Sequence, residues 1–184
     1  MAAFITADDF SSGIDTTGSL NVGGSTNGNI EKVGDTDWFS IMLVSGKNYT
    51  VSCLGKGLGD PMLKIYSNFG SIIKSDDDSA GSFNSQISFT PSMSGKYFIE
   101  VLYSTSKYAY GSSTGNYLVK ADITAGKTFQ GTSGGDVLIG TAGNDILIGG
   151  GGHDTLNGGD GDDTYYISSL YNCKNRIAWR VSFI

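Results

Sequence analysis

The sequence predicts an all-β chain: an antiparallel, jelly-roll-like β-sandwich followed by a short parallel β-roll of about two coils. Three observations lead there. Apolar and polar residues alternate in short runs over the first two thirds of the chain, with no run at helical period. Gly, Ser and Asn clusters separate those runs and supply turn chemistry. From Gly131 onward a nine-residue period sets in, with glycine and aspartate at fixed places.

Taken in order, the runs Trp38 to Leu43, Tyr49 to Leu54, Met62 to Tyr66, Gln86 to Phe89 and Lys96 to Val101 read as strands by period and by β-branched or aromatic content. Ser45-Gly46-Lys47, Asn68-Phe69-Gly70, Ser94-Gly95 and Ser113-Thr114-Gly115 close one strand before the next begins. About seven or eight such strands without a helix make an antiparallel sandwich. Residues 1–123 hold 12 acidic and 8 basic side chains, whereas residues 131–163 hold six aspartates and no Lys or Arg. The small-residue stretch 124–130 between them reads as a hinge. The expected organisation is a sandwich at 1–123, a linker at 124–130, a roll at 131–166 and an atypical tail at 167–184.

Composition narrows the function. With 28 glycines but 2 prolines in 184 residues, the chain is neither collagen nor a proline-rich tether. A net charge of -6 disfavours nucleic acid, which needs clustered Lys and Arg, and favours cations as partners. Cys53 and Cys173 lie far apart, form no CxxC and are expected as free thiols. The first 30 residues have no basic and apolar regions of a conventional signal peptide, and no window reaches the ~20 apolar residues of a membrane span.

The ordered series in the first part resembles the bacterial pre-peptidase C-terminal domain, over about residues 5–123. Its carriers are Gly34-Asp35-Thr36-Asp37-Trp38-Phe39, then Gly46 with Tyr49, then Asp60-Pro61-Met62-Leu63-Lys64-Ile65-Tyr66. Gly70, Asp76-Asp77-Asp78, Ser85-Gln86-Ile87, Ser94-Gly95-Lys96-Tyr97 and Gly115-Asn116-Tyr117 continue it. The resemblance implies a small sandwich appended to a secreted protein.

From Gly131 four nonapeptides follow in register. Glycine holds position one (Gly131, Gly140, Gly149, Gly158) and position four (Gly134, Gly143, Gly152, Gly161), and aspartate holds position six (Asp136, Asp145, Asp154, Asp163). Position eight carries Leu138, Leu147, Leu156 and Tyr165. The pattern resembles the haemolysin-type, repeats-in-toxin (RTX) family. Six residues turn and three extend, so turns two repeats apart stack on one edge of a roll. A hard cation wants about six to eight oxygens at about 2.3–2.6 Å, which fits Ca2+, whereas zinc would want Cys or His. By this register Asp136 pairs with Asp154 across one site and Asp145 with Asp163 across a second. The resemblance adds carbonyl ligands from Gly131, Ser133 and Gly135 and from Gly140, Ala142 and Asn144. Thr132 and Thr141 depart from it at position two, and the pattern stops after Ser169. Secreted relatives exported by the type I route end with an acidic residue before terminal hydrophobes; Arg180 stands in that approach here. The tail reads as a cap, an altered reading frame or an artificial boundary.

No catalytic residues are expected. The only histidine, His153, occupies the variable fifth position of a turn, and neither HExxH nor GxSxG occurs. No P-loop is completed, and Asp76-Asp77-Asp78 lacks the Glu of an EF-hand. That run reads as a hairpin turn or, with Asp60, as an accessory calcium site. Asp35 and Asp37 read as turn and cap residues, with a metal or acid/base role as the sharper alternative. Tyr97 and Tyr117 are expected in the core, whereas Tyr108 and Tyr110 are freer to bind. The sequence therefore predicts a non-catalytic, calcium-binding accessory region of a secreted bacterial protein, its sandwich binding polysaccharide or protein matrix. A structural spacer of an adhesin is the alternative, and a fragment of a secreted hydrolase or protease whose catalytic domain lies elsewhere is the third. Oligomeric state is open.

Overall fold

The structure is a computed structural model that describes residues 7–141, 143–159 and 161–167, and the backbone of 180–183. The described residues contain no helix, hence none long and apolar enough to cross a membrane. They form two compact units. The first takes the described residues up to Leu43, Thr50–Phe89 and Ser94–Asp122; the second takes Val44–Tyr49, Thr90–Met93 and the described residues from Ile123 onward.

The sandwich has eight strands: β1 (Gly24–Ile30), β2 (Thr36–Leu43), β3 (Tyr49–Gly55), β4 (Pro61–Tyr66), β5 (Ile72–Asp76), β6 (Ser85–Phe89), β7 (Gly95–Tyr103) and β8 (Gly115–Ile123). One sheet has the order β1-β8-β3-β6, the other β2-β7-β4-β5. The pairs β1/β8, β2/β7, β4/β7 and β4/β5 are antiparallel. Period-two alternation puts Phe39, Ile41 and Leu43 of β2 and Ile99 and Val101 of β7 inward, opposite Val51, Cys53, Tyr117 and Val119. Trp38, Tyr66 and Phe98 point the other way and bury one another, the Trp38 and Tyr66 rings 4.3 Å apart. Burial on both faces is why β7 reads as a nearly unbroken apolar run. Glu100, on that outer face, is buried but answered by Lys64 at 2.9 Å and by the Tyr66 hydroxyl at 2.7 Å. Gly28 in β1 leaves room for the fully buried Tyr117 ring, which a Cβ there would strike. Cys53 is a buried free thiol, pushed up from its ordinary range by burial; Cys173 lies outside the described residues.

The roll is built of β9 (Thr128–Gln130), β10 (Val137–Ile139), β11 (Ile146–Ile148), β12 (Thr155–Asn157), β13 (Thr164–Ile167) and β14 (Arg180–Phe183). Strands 18 residues apart pair in parallel, Leu138 facing Leu156 and Leu147 facing Tyr165. That is one coil of two nonapeptides. Position eight points inward, and its Leu147, Leu156 and Tyr165 make a core with Ile167, joined by Leu138 and Phe129. Positions seven and nine face water, as Val137 and Ile139 show. The stretch 124–130, expected as a linker, corrects to structure at its end: Thr128–Gln130 pairs in parallel with Ile146–Ile148 because Phe129 has an apolar row to join. Of the tail, Arg180–Phe183 pairs in parallel with Thr164–Ile167, and residues 168–179 and 184 lie outside the described residues.

Candidate metal centre

The repeat turns stack in the pairs expected from the spacing. The Asp136 N–H donates to Asp154 Oδ1 at 3.1 Å, and the Asp145 N–H to Asp163 Oδ1 at 2.9 Å. Below each, Thr155 N–H donates to the Asp136 carbonyl and Thr164 N–H to that of Asp145. Each aspartate also closes its own turn. Asp136 Oδ2 accepts the Thr132 N–H at 2.7 Å and its hydroxyl at 3.0 Å, and Asp145 Oδ2 accepts the same two groups of Thr141. Threonine at position two is thus tolerated because it adds a donor to the carboxylate. In the later turns this position is Gly150 or Gly159, both at positive φ (83° and 91°), where a Cβ would strike the Thr132 or Thr141 carbonyl.

Glycine at position one has the same cause. A Cβ on Gly131 would strike the Gly149 carbonyl and lie 2.8 Å from Asp136 Oδ2; on Gly140 it would strike the Gly158 carbonyl and lie 2.7 Å from Asp145 Oδ2. The turns are so close that only main chain fits between them.

These clashes also show which carbonyls enter each gap. The earlier turn presents positions two and four, with the oxygens of Thr132 and Gly134 against Gly150 and Gly152, and those of Thr141 and Gly143 against Gly159 and Gly161; in the first gap position three joins them, Ser133 O lying against Gly151. The later turn presents position one, from Gly149 and Gly158, and position five, with His153 O against Gly135. Of the carbonyls expected as ligands, that of Ser133 faces Gly151, 3.2 Å from where its Cβ would stand, and that of Asn144 lies against Gly126. The Asn144 side chain faces turn 158–163 and accepts the Asp162 N–H at 3.0 Å. Gly131, Ser133, Gly135 and Gly140 line the stacked faces, and Ala142 lies outside the described residues.

The donor set is all oxygen, and the cradle is one that a single Cβ would fill. Asp145 is wholly buried and Asp154 nearly so. Among the described residues no ion pair is found at Asp145 or Asp154. A hard divalent cation fits the gap. His153 is exposed at the turn surface.

The sandwich holds a second acidic grouping. Asp8, Glu31, Asp35 and Asp37 each bring one carboxylate oxygen within 4.8 Å of the others. Asp35 takes the turn role, accepting the Glu31 N–H at 3.3 Å. Asp37 does not: it is a fully buried strand residue whose Oδ2 accepts the Tyr117 hydroxyl at 2.6 Å. Asp37 Oδ1 and Glu31 Oε2 are buried without a hydrogen-bond partner. Burial pushes Asp37 up to about 8 and Glu31 up to about 7, and neighbouring carboxylates add to both. Sequence reasoning missed Asp8 and Glu31, which only folding brings beside the Asp35-Thr36-Asp37 signal.

The run Asp76-Asp77-Asp78 does not make a hairpin within one sheet, since β5 and β6 belong to different sheets. Asp76 Oδ2 accepts the N–H groups of Ser79 and Gln86, and Asp77 accepts the Ser104 hydroxyl. Asp60 holds the Tyr110 N–H at 2.9 Å, fastening the loop that displays the exposed Tyr108 and Tyr110. Tyr97 and Tyr117 are buried.

A two-sheet sandwich joined to a stacked-turn roll lined by carboxylates defines a modular, cation-binding protein. Residues 130–165 match the family model of the RTX calcium-binding nonapeptide repeat in four copies, and residues 35–102 match that of the bacterial pre-peptidase C-terminal domain. The chain thus contains a pre-peptidase C-terminal domain followed by RTX repeats, both non-catalytic kinds and both typical of secreted bacterial proteins. Among solved structures it is similar to the pre-peptidase C-terminal domain of collagenase from Bacillus anthracis, at 17% identity, TM-score 0.45, covering 56% of this chain and 92% of that one. It is also similar to PliG of Aeromonas hydrophila, a periplasmic inhibitor of g-type lysozyme (18%, TM-score 0.40, 58% and 96%), and to CorA of Methylomicrobium album BG8, a surface-associated copper-binding protein (13%, TM-score 0.41, 58% and 98%). A search of curated proteins found no match.

Proposed function

We propose that this chain is a non-catalytic, calcium-dependent accessory region of a secreted bacterial protein, exported by the type I route. The observation that carries the reading is the pair of main-chain-wide gaps, each flanked by two aspartates and entered by carbonyls from both turns. Asp136 and Asp154 hold one Ca2+ with carbonyls of Thr132, Gly134, Gly149 and His153. Asp145 and Asp163 hold the second with those of Thr141, Gly143 and Gly158. When bound, calcium supplies the positive charge that lets these carboxylates stack. The acidic grouping of Asp8, Glu31, Asp35 and Asp37 takes a further hard cation in the sandwich. Calorimetric titration of the full chain should lose two calcium ions in the Asp136→Ala, Asp145→Ala double variant. Unchanged stoichiometry would sink the assignment.

In this reading the sandwich binds extracellular polysaccharide or protein matrix. Tyr110, 64% exposed, stacks on Phe83 at 4.9 Å and 14° beside the exposed Tyr108. Phe83 and the preceding Ser82 hold positive φ (59° and 52°), a backbone region that residues other than glycine rarely adopt. Flat aromatic pairs suit sugar rings and peptide planes. Retention on insoluble polysaccharide or collagen should fall several-fold in Tyr108→Ala, Tyr110→Ala; no retention of the parent chain on either favours the spacer role instead.

A further inference from the structure

We propose that Lys127 ends the calcium ladder of the roll: it occupies the aspartate position of a degenerate opening turn whose main chain already forms a calcium-type gap against turn 140–145. The proposal rests on the calcium reading of the repeats above.

Four features of the opening turn reproduce the gaps between the regular turns. The Lys127 N–H donates to Asp145 Oδ1 at 2.5 Å, as Asp136 does to Asp154 and Asp145 to Asp163. The Ile146 N–H donates to the Lys127 carbonyl at 2.8 Å, as Thr155 does to Asp136 and Thr164 to Asp145. Phe129 pairs in parallel register with Leu147, 18 residues on, as Leu138 does with Leu156. The carbonyls enter alike: a Cβ on Gly143 would lie 2.6 Å from Ala125 O, and one on Gly126 would strike Asn144 O, matching Gly134 O at Gly152 and His153 O at Gly135.

The missing part is the second carboxylate. Counting back nine from Asp136 gives Lys127. An ammonium carries three donors and no lone pair, so it cannot ligate a cation and repels one. Its side chain is exposed, and among the described residues it is in no ion pair, so it can vary without disturbing a salt bridge. Lys127 is therefore the residue that limits the roll to two sites while leaving a metal-free half-coil to cover the first apolar row.

Calorimetric calcium titration of the full-length Lys127→Asp variant beside the parent chain tests this. The expected result is a stoichiometry higher by one. An unchanged count, with calcium still protecting the amides of the four repeats, overturns the proposal and assigns the limit to the glycine-poor turn, which has Asp122, Ile123 and Ala125 at positions one, two and four. A parent chain that binds no calcium in its repeats instead fails the underlying reading, so the two failures are told apart. Lys127→Gln, which removes the charge without adding a ligand, is expected to keep the parent count. A count higher by one in Lys127→Gln as in Lys127→Asp would overturn the carboxylate argument.

Discussion

In EGTA, the amides of the repeats should exchange as fast as those of an unfolded chain, and millimolar calcium should protect them. The protected set is defined by the stacking bonds, among them Gly140 N–H to Asn157 O, Gly149 N–H to Tyr166 O, Thr155 N–H to Asp136 O and Thr164 N–H to Asp145 O. Three terms oppose this stack without metal. Carboxylates of like sign are brought together on both edges, with Asp145 and Asp154 taken out of water. Twelve glycines between 131 and 161 lose more backbone freedom than other residues would on ordering. The apolar row that could compensate is one side chain per nonapeptide, and Leu138 at its start is only partly buried. Folding is therefore coupled to the ion, as in other small metal-dependent units. Affinities of extracellular modules run to about 10⁻⁴–10⁻³ M, which keeps such a segment open inside a cell and closes it outside. Equal protection of these amides in EGTA and calcium would show that the roll stands on its apolar row and its flanking strands alone.

The repeat was legible in sequence because its constraints are local. Position one must be glycine where a stacked carbonyl passes, and position six must supply the carboxylate that ties its own turn. The opening turn escaped because it lacks both, keeping only Gly126 and Phe129 at the nine-residue spacing. Carbonyl direction could not be read either, since no side chain reports it. In the sandwich, alternation marked β2, β3, β4, β6 and β7, which are buried on at least one face. It was silent for β1 and β5, edge strands whose residues are mostly polar or exposed. The acidic grouping lay beyond reach for another reason. Asp8, Glu31 and Asp37 meet only because the segment before β1 is fastened by Phe10 against Phe39 and by Asp9 on the Asn29 N–H.

Asp37→Asn should reverse its effect on the sandwich with calcium. In EGTA the folded state holds Asp37 at about 8, through burial and the nearby Asp9, Glu31 and Asp35, against the Tyr117 hydroxyl that favours the charged form. A carboxyl raised in the folded state binds a proton between its ordinary value and about pH 8 that the unfolded chain has already released. Stability in EGTA therefore falls as pH rises from about 4 to about 8, with a slope approaching about 1.4 kcal/mol per pH unit for one such group. Glu31, raised to about 7 by burial and by Asp35 and Asp9, adds the same sign up to that pH. Asparagine keeps an acceptor for Tyr117 and carries no charge, so at pH 8 in EGTA the variant should melt higher than the parent by several degrees, about 4–8 °C per kcal/mol for a unit of this size. In calcium the order should invert. The parent then gains binding energy that depends on Asp37, whose Oδ1 is otherwise buried without a partner, and the variant does not. Thermal unfolding of the full chain at pH 8, with and without calcium, reads both signs at once, and its EGTA transition belongs to the sandwich because the roll is already open. A variant destabilised equally in both conditions would make Asp37 a partner of Tyr117 and nothing more.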